Sequence, residues 1–316
     1  MFRSVATIAS LICIAALFTG CGAGASSSLA NNNNSNNPDV PPATATSPTS
    51  GIVFFTGLKN LEYITNACSN GTGYYDGCKG SLGSGPGPNL GLEFSTNAQA
   101  IVSAAKGGSG NFTGNPNGNP VMFSNSYNYV IINVKNGVDV GLWFWYSALQ
   151  MGQVTVYDGA NATGNVLFNS NLSPNNSGCN TYKMCVWTPV GIPLTPIANS
   201  IQFSGTADYF AIADIHLGKP LPSTTTVTSN QDPTKPCGSA VYTASIHGIG
   251  GAIPANSQNG LVKFRTPAGI LADNVPVVNG AASLTETLPS GTTVTAIFKP
   301  TVSFGGSSGS MLVACQ

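Results

Sequence analysis

Charged residues are scarce in this chain. Only 22 of the 316 residues are charged, 11 of them Lys or Arg and 11 Asp or Glu, and the formal net charge is zero. Charged residues usually make up about a quarter of a soluble protein. Nucleic-acid binding needs a basic stripe and binding to anionic lipid needs a polybasic patch, so the sequence argues against both partners.

Residues suited to acid, base or nucleophilic catalysis are also few. The only histidines are His216 and His247, and the three glutamates, Glu62, Glu93 and Glu286, lie far apart in the sequence. No GxSxG, HExxH or phosphate-cradling glycine motif occurs. The sequence therefore predicts that the protein is not an enzyme.

The residues that are abundant favour β-structure. Hydrophobic residues make up 42% of the chain, and there are 38 glycines and 21 prolines. Strand-like runs recur between turn signals, and no segment has a sustained helical period apart from a turn expected over residues 97–105. We predict an all-β fold in about two domains, a jelly-roll-like β-sandwich and a smaller Ig-like β-sandwich.

The N-terminus predicts export. Arg3 precedes an apolar run, Val5 to Phe18, which is shorter than the roughly 20 residues of a membrane span. The following LFTGC segment resembles a bacterial lipobox, which implies a signal peptide at residues 1–20, lipidation of Cys21 and anchoring in the outer membrane or at the cell surface. A soluble secretory signal cleaved near Ala23 is the alternative. Residues 21–50, rich in Asn, Ser, Pro and Thr, are predicted to be a disordered tether.

The remaining cysteines predict disulfides. Cys13 lies in the signal and Cys21 is the lipidation residue, which leaves six cysteines in an oxidising location. Fifteen connectivities are allowed, and the spacing favours Cys68 with Cys78, Cys179 with Cys185, and Cys237 with Cys315. Zinc is the competing interpretation, but the sequence has no CxxC pair and only two histidines.

The first predicted domain covers residues 51–219 and carries several ordered motifs. They read GVDVGLWFWYSA, QVTVYDGANATGNVL, CVWTPVGIPL and DYFAIADIHLG. This order resembles a β-sandwich domain of exported bacterial proteins, many with PEP-CTERM-type sorting tails. The resemblance implies a jelly-roll-like fold similar to carbohydrate-binding modules, in a family largely without an assigned activity.

The tryptophans of this domain are candidate ligand contacts. Trp143 and Trp145 alternate with Leu142 and Phe144 and are expected to project from the face opposite the core, as a flat apolar platform on which neutral sugars stack. Tyr157 and Trp187 are weaker candidates for the same platform. The alternative is that loops or the second domain cover this face.

The closing strand suggests a structural calcium ion. Its ending at Asp214 resembles a strand of many carbohydrate-binding modules whose aspartate holds calcium. Calcium takes 6 to 8 oxygen ligands, so Asp208, Asp76 or Glu62 would have to converge on Asp214. A plain hydrogen-bonded strand end is the alternative, and no other cofactor is expected.

The second predicted domain covers residues 222–316. Its order STTTVTSNQDPT, AVYTASIHG, NGLVKFRTP and LPSGTTVTAIFKP resembles the bacterial Ig-like repeat of surface proteins, which implies a spacer or adhesion module. Together these features predict a surface lipoprotein that binds a neutral glycan or a surface protein. The alternative is a structural envelope protein or a protein-protein adhesion module without glycan binding.

Overall fold

The computed structural model describes residues 47–64, 73–256 and 258–316. The predicted signal, Cys21 and most of the tether lie outside these residues, as does Cys68. The all-β prediction is confirmed: the described elements are 17 strands and three short 3-10 helices, Ala104–Lys106, Pro116–Gly118 and Ile249–Gly251. Within these ranges no helix is long and apolar enough to cross a membrane.

Ten strands form the first sandwich. They are β1 (Gly51–Val53), β2 (Glu62–Tyr63), β3 (Leu92–Phe94), β4 (Ala98–Ile101), β5 (Val121–Ser124), β6 (Tyr129–Ala148), β7 (Gly152–Tyr157), β8 (Val166–Leu172), β9 (Thr188–Ser204) and β10 (Phe210–Leu217). The helical turn expected over residues 97–105 is largely wrong, because β4 occupies its first half and pairs with β5. Thr49, near the end of the predicted tether, is buried and donates its N–H to the Gly137 oxygen over 2.8 Å.

The two layers of this sandwich share two long strands. The first part of β6, residues 129–133, pairs with the end of β9, while residues 138–146 pair with its beginning. The register shifts between Asn133 and Val140, where Gly137 and Val140 both have positive φ. One layer therefore runs β3-β6-β9-β7-β8 and the other β2-β4-β5-β10-β6-β9, with β1 on β10.

A single apolar core fills the space between these layers. Phe144 of one layer meets Phe203 of the other edge to face, with ring centroids 4.9 Å apart. Val154 and Val156 of β7 are fully buried, and Thr155 between them is also buried at 4% exposure. Tyr157 is only partly buried, so burial does not alternate regularly along β7.

Seven strands form the second sandwich. They are β11 (Ser223–Ser229), β12 (Ser239–Gly248), β13 (Gly260–Thr266), β14 (Gly269–Pro276), β15 (Ala281–Thr287), β16 (Thr293–Pro300) and β17 (Ser307–Leu312). The sheets β11-β12-β15 and β14-β13-β16-β17 enclose a second core that includes Tyr242, Phe264 and Phe298. Two facing antiparallel sheets of three and four strands are the Ig-like arrangement that the sequence predicts.

Two of the three predicted disulfides are confirmed. Cys179 is bonded to Cys185, and Cys237 is bonded to Cys315 across 78 residues of sequence. Cys78 is also disulfide-bonded, but the predicted pair with Cys68 lies partly outside the described residues.

The carboxylate of Glu62 organises the loop that follows the undescribed segment. It is fully buried and accepts hydrogen bonds from the backbone N–H groups of Lys59, Leu82 and Ser84 and from the Ser84 hydroxyl. These donors favour the ionised carboxylate, and they lower the pKa of Glu62 although desolvation acts to raise it. Glu62 is thus a structural anion that ties β2 to residues 82–84.

Candidate functional site

Trp143 and Trp145 lie on the face of β6 opposite the core, as the sequence predicts. Trp143 is paired with His216 of β10 and Trp145 with Ala213, while their neighbours on β9 are Gly191 and Pro189. Both indole rings are only partly exposed. The two tryptophans therefore do not form one open platform, because each is covered by a different part of the chain.

Trp143 lies at the junction between the two sandwiches. Its ring stacks on that of His216, with centroids 3.3 Å apart and planes inclined by 10°, and it packs against the second core. The two sandwiches also approach each other closely at Gly191. A Cβ atom at this position would lie only 2.3 Å from the backbone oxygen of Ile249. Burial lowers the pKa of His216 to about 4, so the stacked imidazole is neutral at pH 7.

Trp145 and Trp187 belong to a separate apolar cluster on the same face. This cluster contains buried Phe112 and Met184, and both tryptophans pack against it. The indole N–H of Trp187 donates to the Thr113 oxygen over 2.9 Å, and its ring meets Phe112 edge to face at 6.0 Å. Trp187 therefore holds the loop that contains Phe112 against the sheet.

A cavity of about 440 Å³ opens beside this cluster. Its apolar wall comes from β4, β5, β10 and four loops. It includes Ile101, Phe112, Phe123, Leu149, Met184 and Tyr209. Four polar or charged residues also line it, Ser109, Asn111, Lys183 and Asp208. Small-molecule sites are typically about 300 to 1,000 Å³ and combine apolar walls with a few polar groups, so the cavity has the size and chemistry of such a site.

Two of the loops that line the cavity, those containing Asn111 and Met184, are joined by backbone hydrogen bonds. Met184 N–H donates to the Asn111 oxygen at 3.2 Å, and Thr113 N–H donates to the Met184 oxygen at 3.0 Å. The side-chain oxygen of Asn111 also accepts from Lys183 N–H at 2.9 Å. Because the Cys179–Cys185 disulfide closes the second loop, the wall containing Lys183 and Met184 is fixed in place.

The chemistry of the cavity suits a small, mostly uncharged ligand. Its apolar wall offers aromatic rings to a C–H face, and Asn111 and Ser109 offer hydrogen-bonding groups. Lys183 and Asp208 carry opposite charges, so they add no net charge. The side chain of Tyr209 is 40% exposed, which leaves part of its ring accessible to a ligand.

Asp214 is buried and makes a single side-chain contact with a loop. Asp214 is only 1% exposed. Its carboxylate accepts a hydrogen bond from the side-chain amide of Asn117 over 2.9 Å. Desolvation raises its pKa to about 6, and the Asn117 hydrogen bond offsets only part of that rise. Asp214 lies inside β10, where the register with β6 shifts between Ala213 and His216, so it is not the strand end that the sequence offered as the alternative.

The carboxylates expected to join Asp214 around a calcium ion lie elsewhere. Asp208 is exposed at the cavity, Asp76 pairs with Lys135 at 2.6 Å, and Glu62 is held in its own loop. No group of three or more His, Cys, Asp or Glu side chains comes together anywhere in the described part of the chain. The predicted oxygen ligands therefore do not converge.

Tyr157 lies apart from the tryptophans, on the outer face of the other layer. Its hydroxyl donates to the side-chain oxygen of Gln202 on β9 over 3.1 Å. Of the four aromatic residues predicted for one platform, only Trp145 and Trp187 are therefore brought together.

Sequence reasoning missed the residues that line the cavity, such as Phe112 and Tyr209. For Phe112 the one sequence signal is an aromatic residue inside a Gly-rich loop, GGSGNF, and the TADYF segment that contains Tyr209 has no comparable signal. The Gly-rich composition marks a loop, but the contact between loops 104–119 and 175–187 depends on the tertiary fold.

Comparison with known proteins does not assign a family or an activity to the chain. No family model matches the chain, and no curated protein matches it. Solved structures that are similar to it include the Endo-D glycoside hydrolase domain from Streptococcus pneumoniae R6, at 11% identity and a TM-score of 0.28, covering 85% of this chain and 44% of that one.

Two further solved structures match parts of the chain. A mutant of a family 29 carbohydrate-binding module has 14% identity and a TM-score of 0.27, with 42% of this chain and 86% of that one covered. The N-terminal domain of a Streptococcus gordonii adhesin has 10% identity and a TM-score of 0.21, with 61% of each chain covered. The chain spans less than half of the Endo-D domain, and similarity at these values assigns neither a family nor an activity.

Proposed function

We propose that the protein is a non-catalytic, surface-anchored lipoprotein that captures a small neutral glycan in the cavity beside Trp145 and Trp187. The observation that carries this proposal is the cavity itself, about 440 Å³ with an aromatic and apolar wall, the uncharged polar residues Ser109 and Asn111, and the opposite charges of Lys183 and Asp208. Neutral sugars need no charge from the protein, which agrees with a chain of only 22 charged residues. The Ig-like sandwich would act as a spacer.

Binding requires the accessible ring of Tyr209. We expect Tyr209→Ala to weaken the binding of neutral mono- and disaccharides by about tenfold, the equivalent of about 1.4 kcal/mol, because the ring supplies stacking area. A glycan array followed by calorimetric titration of the best probe measures the change.

The matched control is Tyr127→Ala, which removes another exposed tyrosine that does not line the cavity. It should bind as the wild type does. Equal losses in both variants, or no wild-type signal on any neutral sugar, would contradict the proposal.

Anchoring is proposed to depend on a lipid at Cys21. We expect Cys21→Ser to move the protein from the membrane fraction to the soluble fraction. The lipobox-like segment implies that a lipid on Cys21 is the membrane anchor, and serine cannot carry it. Fractionation followed by immunoblotting measures the shift. Cys13→Ser is the control and should leave the protein in the membrane, and a Cys21→Ser protein that stays there rules out the lipid anchor.

A further inference from the structure

The outer face of the layer β6-β9-β7-β8 is a second feature with recognition chemistry. We call it the amide face and define it by six outward side chains, Tyr129, Gln153, Tyr157, Asn169, Gln202 and Ser204. The register confirms that they share a surface: Ser204 lies opposite both Tyr129 and Gln153, while Thr155 lies between Asn169 and Gln202. The alternate residues of these strands, such as Val154, Ile201 and Phe203, are buried in the core.

The four strand segments that form the amide face carry no charge, and Glu93 on neighbouring β3 is paired with Lys135 at 3.2 Å. Residues 129–133, 153–157, 169–171 and 200–204 contain no Asp, Glu, Lys or Arg. A nucleic acid or an anionic lipid would need cations here, and the core of a protein interface would be richer in aliphatic and aromatic groups. The one outward aliphatic side chain in these stretches is Ile131. Hydroxyl and amide groups instead match an uncharged, polyhydroxylated partner.

Two hydrogen bonds fix the orientation of the amides on this face. Tyr157 donates to the Gln202 oxygen at 3.1 Å, and Thr155 donates to the Gln153 oxygen at 3.4 Å. Both oxygens are thereby engaged, so the two NH₂ groups remain as donors for a ligand. Donors fixed before binding lose less entropy when a ligand arrives.

Tyrosines stand at two opposite corners of the face. Tyr129 and Tyr157 are separated by two strand spacings and by four residues along the strands, which corresponds to roughly 16 Å. Tyr129 is 39% exposed, and its ring lies 6.1 Å from that of exposed Tyr127. An occupant that contacts both corners must be an extended chain, longer than the ligand that the cavity would hold.

We propose that the amide face is a second binding surface, and that it takes an extended neutral polysaccharide chain. The tyrosine rings stack on the sugar faces at the two corners, and Gln153 and Gln202 donate hydrogen bonds between them. This surface lies on the layer that does not line the cavity, so it is expected to bind independently of the cavity.

Affinity electrophoresis in gels that contain glucomannan, mixed-linkage β-glucan or dextran tests this proposal, with chondroitin sulfate as a charged comparison. We expect at least one neutral polymer to retard the wild type, and the Tyr129→Ala/Gln202→Ala variant to bind it about tenfold more weakly. Tyr157→Phe keeps the ring but loses the hydrogen bond to Gln202, and should give a smaller loss.

The cavity variant Tyr209→Ala serves as the comparison and should bind the polymer as the wild type does, even though it binds disaccharides about tenfold more weakly. The proposal is overturned if no neutral polymer retards the wild type, if chondroitin sulfate retards it equally, or if the Tyr129→Ala/Gln202→Ala variant binds normally. Thermal unfolding of each variant verifies that these outward substitutions leave the fold intact.

Discussion

Asp214→Asn is expected to stabilise the first sandwich by about 3 kcal/mol at pH 8. Burial raises the pKa of Asp214 from 3.8 to about 6, and each pKa unit corresponds to about 1.36 kcal/mol. At pH 8 the folded protein holds an ionised, buried carboxylate that the unfolded chain would hydrate, so the ionised group opposes folding. Asparagine is close in shape, can accept the Asn117 hydrogen bond, and tolerates the positive φ of 50° at this position.

The stabilisation should depend on pH with a definite sign. As the pH falls through about 6, the folded Asp214 carboxyl takes up a proton, and the cost of the buried charge fades until about pH 4, near the pKa of the unfolded side chain. The stability difference between the variant and the wild type should therefore be largest at pH 8 and close to zero at pH 4.

Denaturant unfolding between pH 4 and pH 8 measures this difference. All three tryptophans, Trp143, Trp145 and Trp187, lie in the first sandwich. Only Trp143 also packs against the second core, so tryptophan fluorescence mainly follows the unit that contains Asp214. Asp139→Asn, at a partly exposed position, is the matched control and should give a small difference without this trend. A variant that is less stable than the wild type at pH 8 would show that the Asp214 charge is compensated in the folded protein.

Removal of the Cys237–Cys315 disulfide is expected to cost the second sandwich about 4.5 kcal/mol. The bond closes a loop of 78 residues, and the chain-entropy model assigns about this much to a loop of that length. Domains are typically stable by only about 5 to 15 kcal/mol, so Cys237→Ala/Cys315→Ala should leave the Ig-like unit close to its unfolding threshold.

Calorimetry should therefore show a much lower transition temperature for the second sandwich. The pair Cys179→Ala/Cys185→Ala is the comparison: its sequence separation is 6, the expected cost is about 2 kcal/mol, and the loss belongs to the first sandwich. Trp143 packs against the second core, so its fluorescence should also change when that core unfolds. If the second sandwich keeps its transition temperature without the 78-residue bridge, the chain-entropy account of this disulfide is wrong.

The local patterns in the sequence were sufficient to predict much of the fold. In β7, Val154 and Val156 point into the core and Thr155 and Tyr157 point outward, because side-chain direction in a strand depends only on neighbouring residues. Burial does not follow direction alone, since Thr155 is buried as well. β5 has no alternation of burial either, since all four of its residues are buried. β4 is similar, with three of its four residues buried. The sequence does not predict either strand, because the strands they pair with and the residues that bury them lie in distant parts of the chain.

The candidate site was predicted less well, for the same physical reason. The outward direction of Trp143 and Trp145 follows from strand parity and is confirmed. Their exposure depends on what packs above them, and this is the second sandwich for Trp143 and the Phe112 and Met184 loops for Trp145. A sequence read strand by strand cannot show that these loops meet and enclose a cavity between them.

The location of a bound sugar tests the central claim most directly. The best neutral mono- or disaccharide from the array can be added to isotopically labelled protein, and the changes in chemical shift mapped onto the chain. We predict that the changes concentrate at Phe112, Met184 and Tyr209, which line the cavity. In Tyr209→Ala, about tenfold more sugar should be needed for the same changes at Phe112 and Met184. Changes confined to other surfaces, or no changes at saturating sugar, would contradict the assignment of this cavity as the glycan site.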